Sequence, residues 1–196
     1  MFDNQYIITK TKPDGIPSDL KHVSFGDLSV YTHTRLKCTI AHGAHADVLM
    51  LGVAVNPFQV NEYEADISQR IADTCQSKRD FFCSTEELTG RYIIIYRSAN
   101  DMVMVGDPCH LRQMFYGHVG NNVVVTSSVK LFLASFKLTP KINPEKKEFI
   151  NSDIYRSKHA LWYGDQTMDD RLRRLLANHY LDVQSATPYR LPVTVI

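Results

Sequence analysis

Two stretches limit what this chain can fold into. Val48-Leu49-Met50-Leu51-Gly52-Val53-Ala54-Val55 and Arg91-Tyr92-Ile93-Ile94-Ile95-Tyr96 are near-continuous in apolar, β-branched and aromatic residues. Runs of this length and composition read as strands buried on both faces of a sheet. Shorter β-type runs surround them at Tyr6–Thr9, Val23–Phe25, Leu28–Tyr31, Met102–Val105, Phe115–Tyr116, Val123–Val125 and His179–Val183. Turn chemistry separates them: Lys12-Pro13-Asp14-Gly15, Gly26-Asp27, Asn100-Asp101, and a Gly- and Asn-rich hairpin connection over 117–122.

Helical signals are fewer. Tyr63, Ile67, Ile71 and Cys75 recur every four residues with polar residues between them, which predicts an apolar helical stripe. Ser127 or Ser128 can cap a helix running to Phe136. Asn143-Pro144-Glu145 is a second helix start, with Phe149, Ile150 and Ile154 expected toward the core. After Val183 the tail reads as irregular. Strands in runs with few helices between them predict an α+β fold with mostly antiparallel sheets, as one domain over residues 1–196.

Composition removes several classes of function. Lys plus Arg number 22 and Asp plus Glu 21, so the formal net charge is +1. That gives no global electrostatic reason to bind nucleic acid or an anionic membrane, and neither partner is expected. No apolar run approaches the roughly 20 residues of a spanning helix, and Met1–Gln5 shows no basic-then-apolar secretory signal. The cysteines at 38, 75, 83 and 109 form neither a disulfide framework nor a Cys-x-x-Cys zinc pair. A reducing cytoplasm is the expected location.

Individual chemical candidates are thin. His42-Gly43-Ala44-His45, with Asp47 nearby, is the one close histidine pair, and no cluster completes a metal shell. Cys109-His110 invites a thiolate–imidazole reading, but neighbours on an extended segment point to opposite sides. Lys137, Lys141, Lys146 and Lys147 read as a solvated helix approach, and Arg171, Arg173 and Arg174 as local partners of Asp169 and Asp170.

Three ordered segments resemble a known family. Leu88-Thr89-Gly90-Arg91-Tyr92-Ile93-Ile94-Ile95-Tyr96, followed by Val103-Met104-Val105-Gly106-Asp107, is similar to "L-x-G-x-F-A" on a strand, then a hairpin ending in aspartate. His110 to Tyr116, then Val125-Thr126-Ser127-Ser128-Val129-Lys130-Leu131, resembles "G-x-x-P-L-Y-Y" and "A-S-E-x-K-A-L". Gly164 to Thr167, with Leu172, Arg174, Leu175, Asn178 and His179, follows the spacing of "T-x-x-x-x-I-x-R-L-x-P-G/N-H-Y-L". These are motifs of the N-terminal glutaminase domain of asparagine synthetase-like proteins, class II glutamine amidotransferase domains of the N-terminal-nucleophile hydrolase fold. The resemblance implies a four-layer αββα sandwich of two mostly antiparallel sheets. It also places Gly52 and Asp107 in a vestigial substrate pocket.

The chemistry departs from that family. Its nucleophile is a cysteine directly after the initiator methionine, whose freed α-amine serves as base; here that position is Phe2. The Asn-Gly pair of the oxyanion hole falls at Leu51-Gly52, the following glutamate at Val53, and further motif positions become His110, Gln113 and Ala177. The resemblance therefore implies a degenerate domain that retains the fold without glutamine hydrolysis. Its role would be structural or substrate-docking for an ATP-dependent amide-forming enzyme. ATP and Mg are expected only for an associated synthetase domain, in cis or in trans, whose Ser-Gly-Gly-x-Asp loop these residues lack. A peptide or protein substrate and a homodimer are further partners left open. Two other readings remain: a hydrolase or transferase with its nucleophile relocated to Cys109, and a stand-alone module binding a small molecule in the vestigial pocket.

Overall fold

The computed structural model describes residues 3–59, 61–157 and 162–192. The chain divides into two compact units, each drawn from separate chain segments: residues 1–33 with 114–176, and residues 34–113 with 177–196. Each unit contains one six-stranded sheet, and every strand pairing is antiparallel. The expected α+β class with antiparallel sheets is what forms.

The first unit holds β1 (Tyr6–Thr9), β2 (Leu20–Phe25), β3 (Leu28–His33), β8 (Phe115–Val119), β9 (Asn122–Thr126) and β10 (Leu172–Arg174), in the order β10-β8-β9-β1-β3-β2. Ser128 caps α3 (Val129–Ser135) by accepting the Leu131 N–H at 3.1 Å. Leu131 and Phe132 of that helix are buried with Ile7, Tyr31, Val124 and Leu172 of the sheet. Asn143 caps α4 (Pro144–Asn151) through the Lys146 N–H at 2.8 Å, and α5 (Asp153–Ser157) follows. The hairpin between β8 and β9 is tighter than expected. Gly117 lies within β8, directly against the Arg171 carbonyl, and the turn is made at Gly120, where φ is +58°.

The second unit holds β4 (Cys38–His42), β5 (Asp47–Val55), β6 (Thr89–Arg97), β7 (Met102–Gly106), β11 (His179–Asp182) and β12 (Thr187–Arg190), in the order β12-β11-β7-β6-β5-β4. The two runs that open the sequence argument are neighbours: β5 pairs with β6 from Asp47↔Arg97 to Val55↔Thr89. Helices α1 (Glu64–Thr74) and α2 (Lys78–Glu86) cover one face of this sheet, burying Ile67, Ile71, Phe81 and Phe82 with Val48, Met50, Ile94 and Val105.

Several expectations are corrected. Strand β5 is buried on both faces only to Gly52; beyond it one face is uncovered, so Val53 and Val55 are exposed while Ala54 between them stays buried. Tyr63 sits at the helix N-cap and is exposed, so the apolar stripe begins at Ile67. Ile154 is exposed, and Phe149 and Ile150 are only half-buried; Phe149 packs instead in a surface aromatic group with Tyr155, Trp162 and Tyr163. The tail is not irregular, because Thr187–Arg190 returns as β12 against β11.

Candidate functional site

Gly52 lies mid-strand in β5 with φ at +109°, a conformation glycine adopts without steric cost. A Cβ there would collide with the Arg91 carbonyl and stand 2.9 Å from Arg112 Nε. The Gly52 N–H donates to the Lys37 carbonyl at 2.9 Å, so it is part of the sheet ladder and is not aimed at an oxyanion. Leu51 beside it is fully buried and aliphatic. Neither half of the expected Asn-Gly pair presents a hydrogen-bond donor for an oxyanion.

Asp107 follows β7 and is fully buried. One carboxylate oxygen accepts the Leu111 N–H at 2.9 Å and the other the Arg112 N–H at 3.0 Å. The Asp107 backbone contributes too: its carbonyl accepts the His110 N–H at 2.8 Å and its N–H donates to the Tyr92 carbonyl at 3.0 Å. This is a turn organised around one carboxylate, with His110 at φ +49°. The segment is therefore not extended, as the opposite-sides argument for Cys109 and His110 had assumed.

Arg112 connects the two candidate residues. Asp107 fixes its backbone, while its Nε donates to the Arg91 carbonyl at 3.3 Å and its guanidinium covers Gly52. Sequence reasoning missed this residue, and its signal was available: a basic residue within the "G-x-x-P-L-Y-Y" segment. The space above Gly52 is occupied by protein.

A cavity of the second unit lies elsewhere. It measures about 370 Å³ and lies between the end of α2, the strand ends at Tyr92 and Val105, the Asp107 turn, and residues 178–179 and 190–192. Asp107 and His110 line it; Gly52 does not. Of the vestigial pair, this cavity takes in Asp107 alone. Tyr92, 1% exposed, places its ring in the cavity wall and donates weakly to the Leu88 carbonyl at 3.4 Å. Burial first, and then the charge of Asp107, push its phenol above the ordinary range, so it stays protonated.

The remaining candidates resolve into local structure. Cys109 is exposed and does not line the cavity, whereas the His110 ring folds back over Gly106. His42 Nδ1 lies 2.6 Å from Asp47, which Arg97 also contacts. Burial raises the Asp47 pKa, but these two bonds outweigh it and hold the carboxyl below its ordinary value. Among the described residues, no group of three or more His, Cys, Asp and Glu side chains gathers as a metal site. Arg171 pairs with Asp169 at 2.7 Å as expected, whereas Arg173 reaches Asp165 and Arg174 donates to the Gly164 carbonyl. Lys146, expected to be solvated, is buried and pairs with Asp170 at 2.7 Å. Phe2, the position of the family's nucleophile, lies outside the described residues. No helix among the described residues is long and apolar enough to cross a membrane.

The thiols differ in exposure in this arrangement. Iodoacetamide is expected to modify Cys83 and Cys109, both exposed, at comparable rates, with buried Cys75 slowest. Peptide mapping after timed quenching reads this out. Cys109 reacting alone and stoichiometrically would instead favour the relocated nucleophile.

No known family model matches the chain, and no curated protein matches it.

Proposed function

We propose that this chain is a catalytically silent glutaminase-like domain of the asparagine synthetase-like family, with the four-layer sandwich fold of N-terminal-nucleophile hydrolases. Its role is structural or substrate-docking, in support of an ATP-dependent synthetase domain acting in cis or in trans. One observation carries the reading. The family motifs call for glycine, or glycine or asparagine, at positions that here are Gly52, Gly90, His110 and Asn178. Their φ angles are +109°, +132°, +49° and +60°. His110 and Asn178 are not glycine, yet both adopt the left-handed region that glycine or asparagine favours. The substituted side chains at positions 51 and 53, Leu and Val, and Phe2 at the nucleophile position support the loss of hydrolysis.

The backbone claim has its own test. His110→Gly and Asn178→Gly are expected to leave stability unchanged or raise it by up to about 1 kcal/mol, while valine at either position costs about 1–3 kcal/mol. Urea denaturation midpoints of the four variants measure this. Valine tolerated at both positions would contradict the inherited turns.

A further inference from the structure

We propose that the 370 Å³ cavity of the second unit is a binding site for a small carboxylate with an aromatic or branched apolar body. The cavity shares Asp107 with the vestigial pocket but not Gly52, and α2 forms part of its wall, so the inference goes beyond the glutaminase reading. Its size lies at the lower end of small-molecule sites, room for a ligand of roughly ten heavy atoms.

The walls define the ligand. Phe82, the Tyr92 ring, Val105 and Leu191 give an apolar interior, and Phe82 is held by its ring contact with Tyr180 at 4.6 Å. Such a surface takes an apolar body and gives no orientation by itself. Orientation comes from the polar side. Arg190 ends β12, lines the cavity and carries a permanent planar cation suited to a carboxylate. His179 lies beside it with Nδ1 2.9 Å from the Ala177 carbonyl; a carbonyl only accepts, so Nδ1 carries the proton and Nε2 is left to the other side of the ring. The backbone here is fixed, since the Leu191 N–H donates to the Asn178 carbonyl at 2.8 Å.

The acidic residues of the lining do not cancel this polarity. Both Asp107 oxygens accept backbone N–H groups, which turns that charge into its own loop. Glu86 is an exposed residue of the last turn of α2 and also lines the cavity. A carboxylate held by Arg190 keeps its body among Phe82, Tyr92 and Leu191.

The probe is phenylacetate, with 2-phenylethanol as the neutral and phenethylamine as the cationic counterpart. Phenylacetate is expected to saturate with a Kd on the order of 1 mM or tighter, perturbing the amide resonances of Thr85, Gly106, His179 and Leu191. Arg190→Ala weakens it by about tenfold or more, Arg190→Lys recovers part of the loss, and Glu86→Gln leaves or improves binding. The proposal is overturned if either counterpart binds as well, if Arg190→Ala binds like wild type, if the perturbed resonances map outside the cavity, or if phenylacetate does not saturate. Should the alanine variant not fold, the lysine variant and the resonance map decide.

Discussion

Replacing Gly52 by valine is expected to cost about 3 kcal/mol or more, enough to unfold much of the population under mild denaturant. Two costs combine. A β-branched residue cannot adopt φ +109° without strain, and its Cβ would meet the Arg91 carbonyl and the Arg112 side chain. Arg112 could swing aside, but the carbonyl belongs to the paired strand β6, where Gly52 faces Tyr92 and Val53 faces Arg91. Relief therefore requires parting β5 from β6. Gly120→Ala separates the two costs: φ there is +58°, with nothing within 4 Å of the added atom, so only about 1 kcal/mol of strain is expected. Urea midpoints at unchanged slope give both values. Equal small losses at the two glycines would show that the close approach at Gly52 contributes nothing.

Asp169→Ala is expected to be as damaging, by about 3–5 kcal/mol. The carboxylate is fully buried and joins separate segments of the first unit. It accepts the Lys141 N–H at 3.0 Å, the Arg171 N–H at 3.0 Å, and Arg171 Nε and Nη2 at 2.8 and 2.7 Å. Alanine leaves these donors without their acceptor, and the guanidinium over the Phe132 ring without its counter-charge. Burial raises the Asp169 pKa, yet the Arg171 and backbone bonds outweigh it and hold the carboxyl below its ordinary value. A depressed folded-state pKa means stability present above the unfolded value and lost as pH falls through the folded one. Wild type is thus expected to lose this contribution below about pH 4, the unfolded carboxylate range, while Asp169→Ala has none to lose there. Thermal melts of both proteins from neutral pH downward check the sign. A variant whose acid sensitivity matched wild type would remove Asp169 from the account.

Most strands were legible because each is a β-type run closed by turn residues, but β4 (Cys38–His42) and β10 (Leu172–Arg174) were not. Tyr6–Thr9 needed nothing beyond its own composition. Missed elements lacked that contrast. The apolar side of α2 reduces to Phe81 and Phe82 among charged neighbours, so its visible signal was the Ser77–Asp80 capping box, in which each side chain accepts the other residue's N–H. Strand β12 carries Pro188 and is largely exposed, which suits an edge strand and conceals it from a composition argument. Asp107 was legible as a residue worth attention, but its work as the acceptor for two backbone donors depends on loop geometry. The role of Arg112 depends on a carbonyl 21 positions away. The cavity draws on α2, four strands or their flanking turns, and the chain after β12, so no local pattern could announce it.

Glutamine turnover is the most direct measurement of the central claim. Purified chain and a Cys109→Ser variant are incubated with glutamine, and glutamate and ammonia are followed against a protein-free blank. The account predicts that neither protein exceeds the blank. Steady turnover by the wild type would contradict it, and loss of that turnover in Cys109→Ser would assign the nucleophile to Cys109.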